Sequence, residues 1–102
     1  MQELPGKPMF SENLNSKFLL DGEGREGVAL ELIELRDGIS NPTSESYSLL
    51  FRGPSAFVLP QQIYTLKHEP LGEFELFIVP VGRDADGAYY EAVFNRLLKA
   101  QE

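Results

Sequence analysis

The chain offers few side chains for nucleophilic or metal chemistry, because it has one histidine, His68, and no cysteine. A zinc site takes several histidine, cysteine or carboxylate ligands, and here only carboxylates could join His68. Serines and aspartates are present for a Ser–His–Asp arrangement, but no nucleophile-elbow motif accompanies them. Because His68 ends a strand-like run just before Pro70, we favour a structural histidine that hydrogen-bonds a loop over a catalytic one.

Two loop motifs resemble ligand-binding sequences. GEGREG at residues 22–27 has the letters of a dinucleotide fingerprint, which needs a strand before it and a helix after it. A strand-like run follows instead, and two glutamates would repel a pyrophosphate, so we predict a hairpin loop. DADG at residues 84–87 resembles the middle of a calcium loop, but the first and last ligands would then be Gly82 and Val93, which lack oxygen-bearing side chains. We therefore predict that Asp-Gly closes a hairpin, with Gly87 supplying a positive φ.

Four carboxylates, Glu69, Glu73, Glu75 and Glu91, could lie near one another across neighbouring strands. Paired carboxylates act as acid and base in glycosidases where burial separates their pKa values. Solvated strand faces are the commoner setting for such residues, so we expect no catalytic pair here. The sequence thus predicts no catalytic residue, no metal site, no cofactor and no enzymatic activity.

The composition restricts the partners and the location of the protein. Its formal net charge of −7 argues against nucleic acid and anionic membranes, since both attract clustered positive charge. No apolar run reaches the roughly 20 residues of a membrane span, and the first ten residues, with two prolines, do not resemble a signal peptide. We expect a cytoplasmic protein with a flexible lead-in at residues 1–9 and a single β domain at residues 10–102.

Alternating apolar and polar residues predict about six strands, at residues 18–20, 28–35, 47–52, 63–68, 74–81 and 88–95. The second run changes parity near Ile33, which indicates a β-bulge or a bend. The run 74–81 is apolar on both faces, as in a strand covered on both sides or entering a closed barrel. We expect at most one helical turn, capped by Ser11 with Phe10 before it. An all-β fold follows, either a small antiparallel barrel or a sandwich.

Five short motifs and two phenylalanines carry a family resemblance. They are SLLFRGP (48–54), QIYTLKH (62–68), LG (71–72), LFIVPVG (76–82) and YEAVFN (90–95), with Phe10 and Phe18 near the start. In this combination the chain resembles a small bacterial family of uncharacterised domains, the domain of unknown function DUF6916, over residues 10–95. The resemblance implies a compact single-domain scaffold and brings no activity, cofactor or catalytic residue with it.

A good fold signal without a chemical constellation favours a non-catalytic structural or protein-interaction module of a larger assembly. Its partner would be another protein or a second copy of the chain. We predict that Phe57, Val58 and Leu59 form an exposed apolar contact, on a loop or a short edge strand between prolines. Edge strands at residues 18–20 or 47–52 could also pair with a partner strand.

Two other functions remain open from the sequence. A small-ligand carrier would have a cavity between sheet faces, and its lining would be Tyr64, Phe77 and Tyr90. A hydrolase would use His68 or a carboxylate pair in a cleft with perturbed pKa values.

Overall fold

The computed structural model describes residues 6–21, 28–38 and 44–97, which form a closed antiparallel barrel. A short helix, α1 (Lys7–Glu12), precedes the strands. These are β1 (Lys17–Asp21), β2 (Ala29–Asp37), β3 (Ser44–Gly53), β4 (Gln62–His68), β5 (Gly72–Asp84) and β6 (Gly87–Leu97). The order around the barrel is β1-β2-β3-β6-β5-β4, and β4 pairs with β1 to close it. The predicted all-β fold is confirmed, and of the two architectures the structure has the barrel.

Closure of the barrel removes the edges that the sequence analysis expected. β1 pairs with both β2 and β4, and β3 pairs with both β2 and β6. The prediction that residues 18–20 or 47–52 could accept a partner strand is therefore wrong, because their backbone groups are already paired on both sides. The alternation of apolar and polar residues within a strand does not reveal whether the strand is an edge, because the pattern is the same with one paired neighbour or with two.

Alternate side chains of each strand fill the barrel interior, as a small barrel requires. In β5 the buried Phe74, Leu76 and Ile78 alternate with the exposed Glu75 and Phe77. The other five strands contribute most of the remaining core side chains, which are Phe18, Leu20, Leu30, Leu32, Leu49, Phe51, Tyr64, Leu66, Ala88, Tyr90 and Ala92. Burial of this continuous apolar cluster is the main force that stabilises the fold.

Two irregularities in the ladders adjust the strands. The pairing of β2 with β3 shifts between Leu32 and Glu34, so Ile33 is the extra residue and the predicted bulge is confirmed. The pairing of β5 with β6 shifts between Pro80 and Gly82. A proline cannot donate to the ladder, and bulges are where sheets accommodate it.

α1 closes one end of the barrel. Gly6 is its N-cap, and Pro8 lies in the first turn, where a missing N–H breaks no helical bond. Phe10 is fully buried and contacts three other phenylalanine rings. The predicted flexible lead-in at 1–9 is thus partly helix, Ser11 lies inside the helix rather than at its cap, and the first five residues lie outside the described part.

Asp86 and Gly87 lie in the β5–β6 hairpin, as predicted, but Gly87 is not there to supply a positive φ. Gly72, the first residue of β5, has a positive φ of 87°, and Gly87 does not share it. A Cβ at Gly87 would lie 2.5 Å from the carbonyl oxygen of Gly53 on β3. Gly87 is therefore required by the close approach of two backbones.

No helix among the described residues is long and apolar enough to cross a membrane.

Candidate functional site

His68 lies at the α1 end of the barrel and is 7% exposed. Its ring stacks on Phe18, with the centroids 4.2 Å apart. Its Nε2 is 2.8 Å from Ser16 Oγ, and that hydroxyl donates its proton to the carbonyl oxygen of Asn13 at 2.6 Å. Ser16 Oγ must therefore accept a hydrogen bond from Nε2–H, which leaves the lone pair of His68 on Nδ1.

This direction of hydrogen bonding is the reverse of that in a catalytic Ser–His pair, where the serine donates to the histidine. Nδ1 of His68 is buried without a hydrogen-bond partner among the described residues, so no carboxylate orients the ring. Burial lowers the pKa of His68, because the charged form loses its water. The arrangement fits the structural role that the sequence favoured, since His68 ties the segment after α1 to β4.

The carboxylate of Asp84 is used within its own hairpin. Its Oδ1 accepts hydrogen bonds from the backbone N–H groups of Asp86 at 2.8 Å and Gly87 at 3.2 Å, and the Tyr89 hydroxyl lies 3.1 Å from both carboxylate oxygens. The described part of the chain contains no group of three or more potential metal ligands. The GEGREG motif at residues 22–27 lies outside the described residues.

The four carboxylates lie on the outside of the barrel or in a turn. Val79 is directly opposite Glu91, and Glu75 is four residues before Val79 on β5. At the rise of an extended strand this offsets the Cα atoms of Glu75 and Glu91 by about 13 Å along the strands. Glu69, Glu73 and Glu75 are exposed, so they lack the burial that separates the pKa values of an acid–base pair.

The loop at residues 54–61 crosses the barrel end opposite α1, because β6 and β5 separate the two strands that it joins. The predicted contact residues divide between two environments. Phe57 and Val58 are 39% and 42% exposed, whereas Leu59 is 3% exposed and belongs to the core. The inclusion of Leu59 in an exposed contact is therefore wrong. In the sequence, three consecutive apolar residues gave no sign of which one would turn inward.

Two tyrosines of the interior fix this loop. The hydroxyl of Tyr90 accepts a hydrogen bond from the backbone N–H of Leu59 at 2.8 Å, and the hydroxyl of Tyr64 donates to the carbonyl oxygen of Pro60 at 2.5 Å. Phe77, the third residue of the predicted ligand cavity, is 51% exposed on the outer face of β5. Tyr64, Phe77 and Tyr90 therefore do not line one cavity as predicted.

An exposed apolar surface on the barrel wall was missed by the sequence analysis. Ile63 on β4 is directly opposite Phe77 on β5, and the two side chains are 62% and 51% exposed. Val93, 59% exposed on β6, lies on the same outer face, since Val79 is opposite Glu91 and Phe77 and Val93 have the same parity as these two residues on their own strands. We call Ile63, Phe77 and Val93 the outer apolar patch. The sequence did contain a sign of this patch, because the run at residues 74–81 is apolar on both faces. We had expected both faces of that strand to be covered.

An open groove of about 310 Å³ adjoins Val93 on the outer face of β2, β3 and β6. Its lining includes Arg36, Asp37, Ser48 and Glu91. Arg36 donates from Nε to Glu34 at 2.8 Å, so its guanidinium is already held by a carboxylate. Asp37 is ion-paired with Lys7, so the carboxylate that the groove presents beside Val93 is that of Glu91.

These features define a class: a small closed antiparallel β-barrel that displays apolar side chains on one end loop and on its wall. The sequence model of a family described as a domain of unknown function (DUF6916) matches residues 7–94. The chain belongs to this family, which confirms the family that the resemblance named, and the match begins at Lys7, the first residue of α1. Searches of curated proteins and of solved structures gave no match.

Proposed function

We propose that the chain is a non-catalytic protein-interaction module of a larger assembly, and that it binds a partner protein through the loop at residues 54–61. One observation carries the proposal: Phe57 and Val58 are exposed on a loop whose next residue, Leu59, is anchored in the core. The Tyr90 hydroxyl accepts a hydrogen bond from the backbone N–H of Leu59 and the Tyr64 hydroxyl donates one to the carbonyl oxygen of Pro60, so the loop is held from the barrel side.

A fixed loop is a better binding surface than a mobile one, because less conformational entropy is lost when the partner binds. Aromatic side chains are enriched at protein interfaces, and binding free energy is concentrated in a few well-packed residues of this kind. Phe57 supplies such a side chain, and Val58 extends the apolar surface beside it. The net charge of −7 favours a protein over nucleic acid or an anionic membrane as the partner. The cytoplasm of a bacterial cell is the setting that we propose.

Site-specific photo-crosslinking tests the proposal. p-Benzoylphenylalanine would be introduced at Phe57 and, as a control, at Val81, which is 51% exposed outside the loop. In an extract of the source cells, we expect a discrete adduct from position 57 that is absent at position 81. Excess wild-type protein should compete for this adduct, and a Phe57→Ser/Val58→Ser variant should not. The same adducts from both positions, or equal competition by the double variant, would contradict the proposal.

A further inference from the structure

We propose that the outer apolar patch is a second docking surface, and that it binds a different protein whose apolar contact residues are flanked by lysine or arginine. The patch is formed by strands of the barrel wall and shares no residue with the loop that carries Phe57 and Val58. The inference therefore goes beyond the proposed function and can fail without it.

The apolar surface is centred on the pairing of Ile63 with Phe77. Cross-strand neighbours on one face have Cβ atoms about 5 Å apart, so the two side chains form one continuous surface. Each is more than half exposed, although the barrel interior beneath them is already filled. Ile63 and Phe77 are adjacent, Val93 lies on the same outer face, and exposed apolar patches of this kind can mark an interaction site.

Carboxylates share the outer face of the barrel with the patch. Glu75 precedes Phe77 by two residues and Glu91 precedes Val93 by two, so both share the outer face with the patch. In the adjoining groove Asp37 is ion-paired with Lys7 and the guanidinium of Arg36 is bound to Glu34, so Glu75 and Glu91 are the carboxylates that the proposal uses. A lysine or arginine of a partner that packs on Phe77 would therefore find acceptors on both sides.

The same carboxylates argue against two other occupants. A second copy docked through the same patch would place Glu75 and Glu91 near their own equivalents, and each chain carries a net charge of −7. An anionic lipid surface would meet the same repulsion. The contact that we propose is made by the side chains of Ile63, Phe77 and Val93.

Fluorescence anisotropy with two synthetic probes tests the proposal. One is a short amphipathic peptide of leucine and lysine, and the other has glutamate in place of lysine. We expect the wild-type protein to bind the lysine peptide and not the glutamate peptide. Phe77→Ser should weaken binding of the lysine peptide about tenfold, which corresponds to about 1.4 kcal/mol, and Ile63→Ser should act in the same direction. Glu91→Gln should weaken binding and reduce its dependence on salt.

Leu19→Ser is the matched control, because Leu19 is 50% exposed on β1 opposite Lys67 and lies outside the patch. It should leave peptide binding unchanged, as should Phe57→Ser/Val58→Ser, which separates this surface from the loop. The proposal is overturned if the lysine peptide does not bind, or if Leu19→Ser and Phe77→Ser weaken it equally. It is also overturned if the wild-type protein forms a dimer in sedimentation, or binds phosphatidylserine vesicles, and Phe77→Ser abolishes that association.

Discussion

The hydroxyl of Tyr90 accepts a hydrogen bond from the backbone N–H of Leu59 at 2.8 Å, and both residues are buried. This bond joins strand β6 to a loop that is 31 residues away in sequence. It places a core aromatic directly beneath the segment that displays Phe57 and Val58. The stability of the barrel end and the shape of the proposed contact surface therefore depend on the same atoms.

Removal of that acceptor should destabilise the barrel. Tyr90→Phe leaves the buried N–H of Leu59 without a partner, and we expect the free energy of unfolding to fall by about 1–3 kcal/mol. Tyr89→Phe is the control, since its hydroxyl contacts Asp84 at the surface and its loss should change stability by about 0.5 kcal/mol or less. Urea unfolding measures both. Equal effects would show that the Leu59–Tyr90 bond has no special role.

Truncation to alanine should affect the stability of the protein differently at the buried and the exposed residues of the loop. Leu59→Ala removes a core side chain, so the free energy of unfolding should fall by about 2–5 kcal/mol. Phe57→Ala alters an exposed side chain and should change it by about 0.5 kcal/mol. Thermal unfolding followed by circular dichroism gives both values. A large loss of stability in Phe57→Ala would place Phe57 in the core and remove the basis of the loop contact.

Two glycines of the same hairpin region provide a steric test. Gly87→Ala places a Cβ 2.5 Å from the Gly53 carbonyl oxygen, and the backbones of β3 and β6 must shift. We expect a loss of about 1–3 kcal/mol in the free energy of unfolding, as for other overpacked sites. Nothing lies within 4 Å of a Cβ at Gly82, so Gly82→Ala should be much milder. Similar losses in chemical denaturation would contradict the close approach seen at Gly87.

The stability of the barrel should depend on pH through its one histidine. Burial lowers the pKa of His68 in the folded state, whereas the unfolded chain has a value of about 6.5. Above about pH 6.5 both states are neutral at this residue and its full contribution is present. As pH falls below that value, the unfolded state binds the proton first, so the free energy of unfolding decreases towards the folded pKa.

His68→Phe provides the control for this pH dependence, since phenylalanine can stack on Phe18 without titrating. Urea unfolding between about pH 7.5 and 5.5 should show a decrease for the wild type that His68→Phe lacks. A decrease of the same size in both proteins would assign it to other groups.

The strand pattern of the fold could be predicted because each signal is local. The parity change at Ile33 marked a bulge that the register of β2 and β3 confirms. Closure could not be predicted, because pairing of Leu19 with Lys67 depends on the global curvature of the sheet. Alternation within a strand contains no information about that curvature.

The candidate surfaces divide in the same way. Phe57 and Val58 could be named from their types and flanking prolines, but the inward turn of Leu59 depends on a tyrosine from another strand. Phe77 was named as a lining residue of a possible ligand cavity, because a run that is apolar on both faces does not show which face is solvent-exposed. The exposure of Phe77 and of its cross-strand neighbour Ile63 shows that this face is the outer one.

The seam between β1 and β4 has a consequence for folding kinetics. It joins residues nearly half the chain apart, such as Leu20 and Leu66, whereas β4–β5 and β5–β6 are hairpins of adjacent segments. Non-local contacts form only after the entropy of a long loop has been lost, so we expect the seam to close after the hairpins have formed. Interactions that form late affect mainly the unfolding rate. The lifetime of the folded barrel should then depend on the β1–β4 seam and on the equally non-local pairing of β3 with β6.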